Sequence, residues 1–348
     1  MLGFMSERLS SWEKIKQSGR EVVVYGMGNG ADNVLDEFAR LDIKVRGVTA
    51  SDSFVRGQSF RGFTVQKLSE FNGDFIIAVA FASCIPEVME HIYSICDKYR
   101  VLVPVVPVCG GEIFNREFVE RNSELLKQAH SLFTEDSKKI FAGCVDFMFG
   151  GELDTLRNIT TPKSEAFKGF FKPRSDEDYL DLGAYRGDTV DELLRYSGGS
   201  YGSITALEPD KKTFAKLTAH LDGMKNCTLL QKAIASHGGV VGFSGAAGRQ
   251  SAISDKGIPT EATSIDSLGR EQRFTYIKMD VEGGELEALK GAKETLKRDR
   301  PRLNIALYHR SEDIFTLPLA VKELNPDYEF HLRRHPYIPC WDMNMYCV

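Results

Sequence analysis

The sequence predicts an α/β fold made of two sheet-and-helix halves. Three observations predict it. Short apolar runs alternate with helix-period patterns along both halves, the mark of parallel sheets with crossover helices. A strand–glycine-turn–helix unit occurs twice, at 22–41 and at 179–194. The chain then closes on two strand-like segments with no helical pattern between them, which suit a terminal hairpin.

The first half, residues 1–110, opens with "EVVVYGMGNGADNVLDEFARL". Residues 22–25 read as a strand. Gly26, Gly28 and Ala31 form G-x-G-x-x-A, and Val34, Leu35, Phe38 and Leu41 follow at helical spacing. "VRGVTASD" reads as a second strand ending near Asp52, "DFIIAVAF" as a third, 86–99 as a helix and "VLVPVVPV" as a fourth strand. This is a small Rossmann-like sheet. Residues 111–175 turn helical and irregular, with "NREFVERNSELLKQAHSLF" as one amphipathic helix, and are expected to connect and pack between the halves.

The second half, residues 176–348, supplies strands at 179–182, 203–208, 227–235, 276–281 and 302–309, mostly separated by helical patterns. "YEFHLRR" and "MNMYCV" complete the set. A dinucleotide fold would instead repeat its βαβ units to the end.

Composition excludes several classes. The chain has 348 residues, 42% hydrophobic and 27% charged, with a net charge of −5. That is ordinary for a soluble globular protein of one to three domains. No long basic run offers a nucleic-acid surface. The longest apolar runs fall far short of the roughly 20 residues of a membrane span. "MLGFMSERLSSWEKIKQ" has no apolar core or cleavage site of a signal peptide. Seven scattered cysteines, without C-x-x-C, read as reduced thiols in a cytoplasmic protein.

The chemistry concentrates at strand ends. Asp181 closes the strand before "GAYRGDT", where open α/β sheets bind ligands. Gly183 lets the chain turn sharply. Gly187 opens the helix where a side chain would block a ligand, and Thr189 follows in the first turn. An acidic residue before the turn repels phosphate, but suits the ammonium and sulfonium of S-adenosylmethionine. Glu208 ends the next strand in "ALEPD" and can accept hydrogen bonds from both hydroxyls of a ribose. Ala233 and Ile234, small and apolar at the third strand's end, suit an adenine ring. Lys278, Asp280 and Glu282 alternate at the tip of the fourth strand, where charge is costly unless paired or functional. His309, at the end of the fifth, faces that tip and is a candidate for proton handling. No third carboxylate is evident beside Asp280 and Glu282, so the reading is metal-free.

"YLDLGAYRGDT", "ALEPD", "TSIDSL", "YIKMDVEGGELEALKGA", "PRLNIALYH" and "YEFHLRRH" together resemble the FkbM-type family of S-adenosylmethionine-dependent methyltransferases, over roughly residues 160–348. The resemblance implies a class I methyltransferase fold, a seven-stranded sheet with a C-terminal antiparallel hairpin, behind the smaller domain. It implies methyl transfer to a hydroxyl, with sugars and polyketides among known acceptors. Asp181, Gly183, Gly187 and Thr189 carry over to the methionine end of the cofactor and Glu208 to its ribose. Asp280, Glu282 and His309 carry over to the active site. Tyr185 stands where the broader pattern has its middle glycine, among the cofactor-binding residues.

The first half resembles small Rossmann-like domains that precede sugar-modifying enzymes. With Asp52 as a ribose acceptor, it could hold a nucleotide or nucleotide sugar, or else serve structure or homodimer formation. The expected function is an O-methyltransferase acting on a sugar, glycan or related small molecule. The alternatives are an NAD-dependent oxidoreductase working through G-x-G-x-x-A, and a non-catalytic cofactor-binding protein.

Overall fold

The computed structural model describes residues 2–243 and 257–348. The first sheet holds β1 (Glu21–Tyr25), β2 (Val45–Thr49), β3 (Ser59–Phe60), β4 (Phe63–Gln66), β5 (Phe75–Val79) and β6 (Arg100–Leu102), in the order β3-β4-β2-β1-β5-β6. β1 runs parallel to both β2 and β5, as crossover helices require. The hairpin β3–β4 adds an edge that periodicity did not show. β6 stops at Leu102 rather than running through 101–108, because Pro104 and Pro107 lack the N–H a ladder needs. The helix after β5 ends at Ile95, not Tyr99.

In this first half α1 (Ser11–Ser18), α2 (Asn29–Arg40) and α3 (Pro86–Ile95) flank the sheet's strands in sequence. Between the halves come α4 (Arg116–Arg121), α5 (Ser123–Leu132), α6 (Glu135–Gly150), α7 (Leu153–Asn158) and α8 (Lys163–Lys168). The single helix expected over 115–133 is two, broken at Asn122, whose amide side chain donates to the Phe118 carbonyl at 2.9 Å and closes the first. α6 is apolar around most of its circumference, with Phe141, Val145, Phe147 and Phe149 buried, as a helix inside a core must be. One hydrophobic core runs from Val23 and Ile77 of the first sheet through α6 to Ile305 and Leu332 of the second.

The second sheet holds β7 (Asp178–Leu182), β8 (Ser203–Leu207) and β9 (Cys227–Leu230), then, after a small separate sheet, β13 (Tyr276–Met279), β14 (Arg302–Ala306), β15 (Phe330–Arg334) and β16 (Met343–Cys347). The order is β15-β16-β14-β13-β7-β8-β9. β16 pairs antiparallel with both β14 and β15, and the other neighbours pair parallel. The strand expected over 227–235 breaks after Leu230. β10 (Ala233–Ile234) leaves for a three-stranded sheet with β11 (Gly239–Phe243) and β12 (Ile258–Thr263). The connections are α9 (Asp188–Ser197), α10 (Lys211–His220), α11 (Ile265–Gly269), α12 (Glu285–Lys290), α13 (Lys293–Asp299) and α14 (Asp313–Leu324). The strand order reverses at β7, which lies between β8 and β13 and runs parallel to both. Such a switch point opens a crevice at the strands' carboxyl ends.

Candidate active site

A cavity of about 510 Å³ fills that crevice. Register aligns its floor: Asp181 lies opposite Lys278 of β13 on one side and Ala206 of β8 on the other. Gly183 turns the chain over the tip of β13. Its φ is 81°, and a Cβ there would lie 1.9 Å from the Asp280 carbonyl oxygen, so only glycine fits. Gly187 (φ 94°) is different. A side chain there would strike His220 and Leu221, and Gly187 does not line the cavity. The turn and the packing against His220 and Leu221 account for its glycine.

Asp181 is fully buried behind the cavity wall. One carboxylate oxygen accepts from the Thr189 hydroxyl, while the other has no hydrogen-bond donor and lies 3.9 Å from Lys278 Nζ. Burial pushes this carboxyl up to about 6, against Lys278 and Thr189, which draw it down. Glu208 lines the cavity. Its oxygens accept from the Asp210 amide at 2.8 Å and the Tyr185 amide at 3.1 Å, and burial lifts its pKa to about 7. Ala233 and Ile234 form an apolar wall beside it. Gly183, Tyr185 and Thr189 also face this end.

The other end gathers Asp280, Glu282 and Tyr308 on the wall, with His309 buried behind them. His309 Nε2 is 3.2 Å from Asp280 and 3.5 Å from Glu282, and Nδ1 is 2.9 Å from Glu285. Burial alone would lower its pKa. Glu285 and Asp280 outweigh burial and hold it well above the usual imidazole range, so His309 is an imidazolium at neutral pH. Glu285 supplies the third carboxylate that the sequence did not show beside Asp280 and Glu282. A Glu in a helix's first turn is ordinary, which hid it; here it also accepts from the Val281 amide at 2.8 Å.

Burial raises the Asp280 carboxyl, but Lys278 at 3.6 Å and His309 overcome it and hold it below the usual carboxylate range. Glu282 differs. Burial dominates and lifts it to about 7, and the Cys109 thiol lies 3.7 Å from its Oε2. Asp280, Glu285 and His309 bring potential metal-ligand atoms within 4.8 Å of one another, and could hold an ion. Three non-glycine residues of the wall, Tyr185 (φ 47°), Glu282 (φ 52°) and Asp342 (φ 54°), adopt left-handed backbone, a strain that gathers at functional sites.

The rest of the wall carries no signal along the sequence. Tyr337, Trp341 and Asp342 come from the loop between β15 and β16, Lys163 from α8, and Cys84 and Val108 from the first half. No periodicity marks such loop residues. The G-x-G-x-x-A segment builds something smaller. Gly26 (φ 139°) passes close to the Ala80 carbonyl and Ala31 is core. A cavity of about 80 Å³ lies nearby, but neither Gly26, Gly28 nor the exposed Asp52 lines it. Ligand sites usually span about 300–1,000 Å³.

Residues 181–337 match the family model described as the methyltransferase FkbM domain. The match is to a methyltransferase domain, over 157 of the 348 residues. The resemblance read from the separated motifs is thus borne out. A crystal structure of a methyltransferase FkbM from Methylobacillus flagellatus KT superposes with a TM-score of 0.73 at 18% identity, covering 99% of this chain and 95% of that one. The class I methyltransferase fold behind a smaller α/β unit is therefore shared over nearly the whole length. An Aeropyrum pernix fibrillarin with natively bound S-adenosyl-L-methionine also matches, at a TM-score of 0.36 and 14% identity, over 53% of this chain and 73% of that one. No curated protein matches the sequence significantly.

Proposed function

We propose that this FkbM methyltransferase domain uses S-adenosyl-L-methionine to methylate a hydroxyl of a sugar, glycan or related small molecule. One observation carries the reading: a single cavity joins a donor-shaped end to a carboxylate-rich end. The residues of the first end fit the donor. Asp181 keeps one buried oxygen without a hydrogen-bond donor, with the Lys278 ammonium 3.9 Å away, so negative charge backs the Gly183–Thr189 wall where the methionine end would lie. Glu208 would take the ribose hydroxyls, Ala233 and Ile234 would flank the adenine, and Gly183, Tyr185, Thr189 and the Gly187 turn would shape the cradle. When bound, the donor supplies an electrophilic methyl group.

The chain's own residues handle the acceptor proton. A hydroxyl is a poor nucleophile until its proton leaves. Glu282 takes that proton: it lines the cavity, and its pKa near 7 matches the working range. Asp280 stays ionised and orients the hydroxyl. His309, held as a cation, fixes both carboxylates in place. No step needs a metal ion in this scheme.

In this scheme the chain divides at the boundaries read from its sequence, 1–110, 111–175 and 176–348. The first unit serves the acceptor end through Cys84 and Val108 rather than through a nucleotide of its own. Against an oxidoreductase, the cavity beside Gly30 and Val34 is only about 80 Å³ and is not lined by Gly26, Gly28 or Asp52. Among the described residues no helix is long and apolar enough to cross a membrane. Its seven unpaired cysteines suit a reducing cytoplasm, where the protein would work.

Calorimetry with Glu208→Ala tests the donor assignment. Loss of a charge-assisted pair should weaken donor binding by roughly 1.5–3 kcal/mol. Unchanged affinity would remove Glu208 from the ribose site.

A further inference from the structure

The end of the cavity away from Ala233 and Ile234 has a composition of its own. Tyr308, Trp341 and Tyr337 stand in a row along it. The Trp341 ring lies 6.2 Å from Tyr308 at 23° and 5.6 Å from Tyr337 at 40°. Asp280, Glu282 and Asp342 face the same space. Asp342 is held in its left-handed backbone, and its carboxylate accepts from the Asn344 side-chain Nδ2 at 2.7 Å.

The positive charges of the wall are already committed. Lys163 is 2.9 Å from Glu192 and 3.7 Å from Asp342. Lys278 lies between Asp280 and Asp181. Lys232, beside the apolar slot, is 3.3 Å from Glu261. No arginine lines the cavity among the described residues, and seven carboxyl side chains face three lysines. α9, whose first turn reaches the wall, carries Asp188 there. Phosphate recognition needs the opposite: free arginine or lysine, or a helix N-terminus without an acid.

We infer that the acceptor is a neutral, unphosphorylated polyhydroxylated ring, a glycoside rather than a nucleotide sugar, stacked on the Tyr308–Trp341–Tyr337 wall. Its apolar C–H face lies on the rings. Its hydroxyls donate to Glu282, Asp280 and Asp342. The inference rests on the methyltransferase reading above and narrows its acceptor.

The chain has two tryptophans, and Trp12 is buried in the core of the first half. Trp12→Phe therefore leaves Trp341 as the reporter. The test titrates this variant, with and without the methyl donor, with methyl glycosides of hexoses, deoxyhexoses and N-acetylated amino sugars, and with their nucleoside-diphosphate counterparts. At least one neutral glycoside should perturb Trp341 fluorescence and bind about tenfold or more tighter than its nucleotide form. By calorimetry, Trp341→Ala should then lose about tenfold or more in glycoside affinity at unchanged donor affinity, and Trp341→Phe should keep most of it. Nucleotide sugars binding as tightly, or no neutral glycoside binding at all, would overturn the inference. Methyl transfer is followed separately. Glycoside binding without transfer would count against the enzyme reading and leave the acceptor class standing. Transfer to nucleotide sugars ahead of their neutral forms would do the reverse.

Discussion

Glu282 and His309 show how little a residue's type says about its charge. Both occupy the same strand tips, 3.5 Å apart. Histidine is the usual proton acceptor near neutrality. Here three carboxyl groups surround His309, and its folded-state pKa lies well above its ordinary value. The sign follows: its stabilising proton is held in full below the unfolded value of about 6.5 and is lost only as pH rises through the folded one. It cannot serve as base in the neutral range. Glu282 can, once ionised. Turnover at saturating donor should fall as pH drops through about 7, and Glu282→Gln should cut kcat by about 10²–10⁴-fold with donor affinity nearly unchanged. A flat profile from pH 6 to 8 would move the role to Asp280. His309→Ala should shift the profile to higher pH, since the cation that lowers both carboxyls is gone. Glu208 titrates in the same range, so donor affinity should also weaken below about pH 7; comparing kcat with kcat/KM for the donor separates the two groups. Removing divalent ions by chelation should leave turnover intact. Loss of activity restored by magnesium would instead make ligands of Asp280, Glu285 and His309.

At the scale of elements, two glycine-rich turns that look alike in sequence behave differently. The turn after β7 is pressed against β13, and Gly183 has neither room for a Cβ nor an ordinary φ. Gly183→Ala should destabilise the fold by at least about 1–3 kcal/mol in denaturant titration and abolish donor binding. Gly28, the N-cap of α2, has φ −127° and open space around it. Gly28→Ala should cost less than about 1 kcal/mol and leave turnover unchanged. A large loss of donor binding in that variant would restore a cofactor role to the first half. Element lengths obey similar local chemistry. Pro104 and Pro107 end β6, and the departure of β10 from the main sheet carries Ala233 and Ile234 to the cavity.

The whole molecule behaves as one packed body. α6 lies between the sheets, and β15 meets the connector through the Phe133–Phe330 and Thr160–Arg334 bridges. The Val108 and Cys109 amides donate to the His309 carbonyl at 3.0 and 3.1 Å, and Ser83 pairs with Ile338. A fragment of residues 160–348 would expose the faces that α6 covers. It should not melt cooperatively, whereas the full chain should unfold in one transition by circular dichroism and fluorescence alike. Two separate transitions in the full chain would show that the halves are independent.

The sequence by itself determined the α/β class, the glycine turn after β7, the placing of Asp181, Glu208, Asp280 and Glu282 at strand ends, and the family. These depend on local periodicity and on residue types at fixed spacing, which a chain displays before it folds. Only the tertiary structure decided that His309 is charged, that Gly187 serves packing, and that Glu285 closes the cluster. It alone brought Cys84, Val108, Lys163 and Trp341 to one wall. Ionisation is set by burial and by neighbours through space, and a cavity wall is assembled from loops far apart in sequence. Neither leaves a period along the chain.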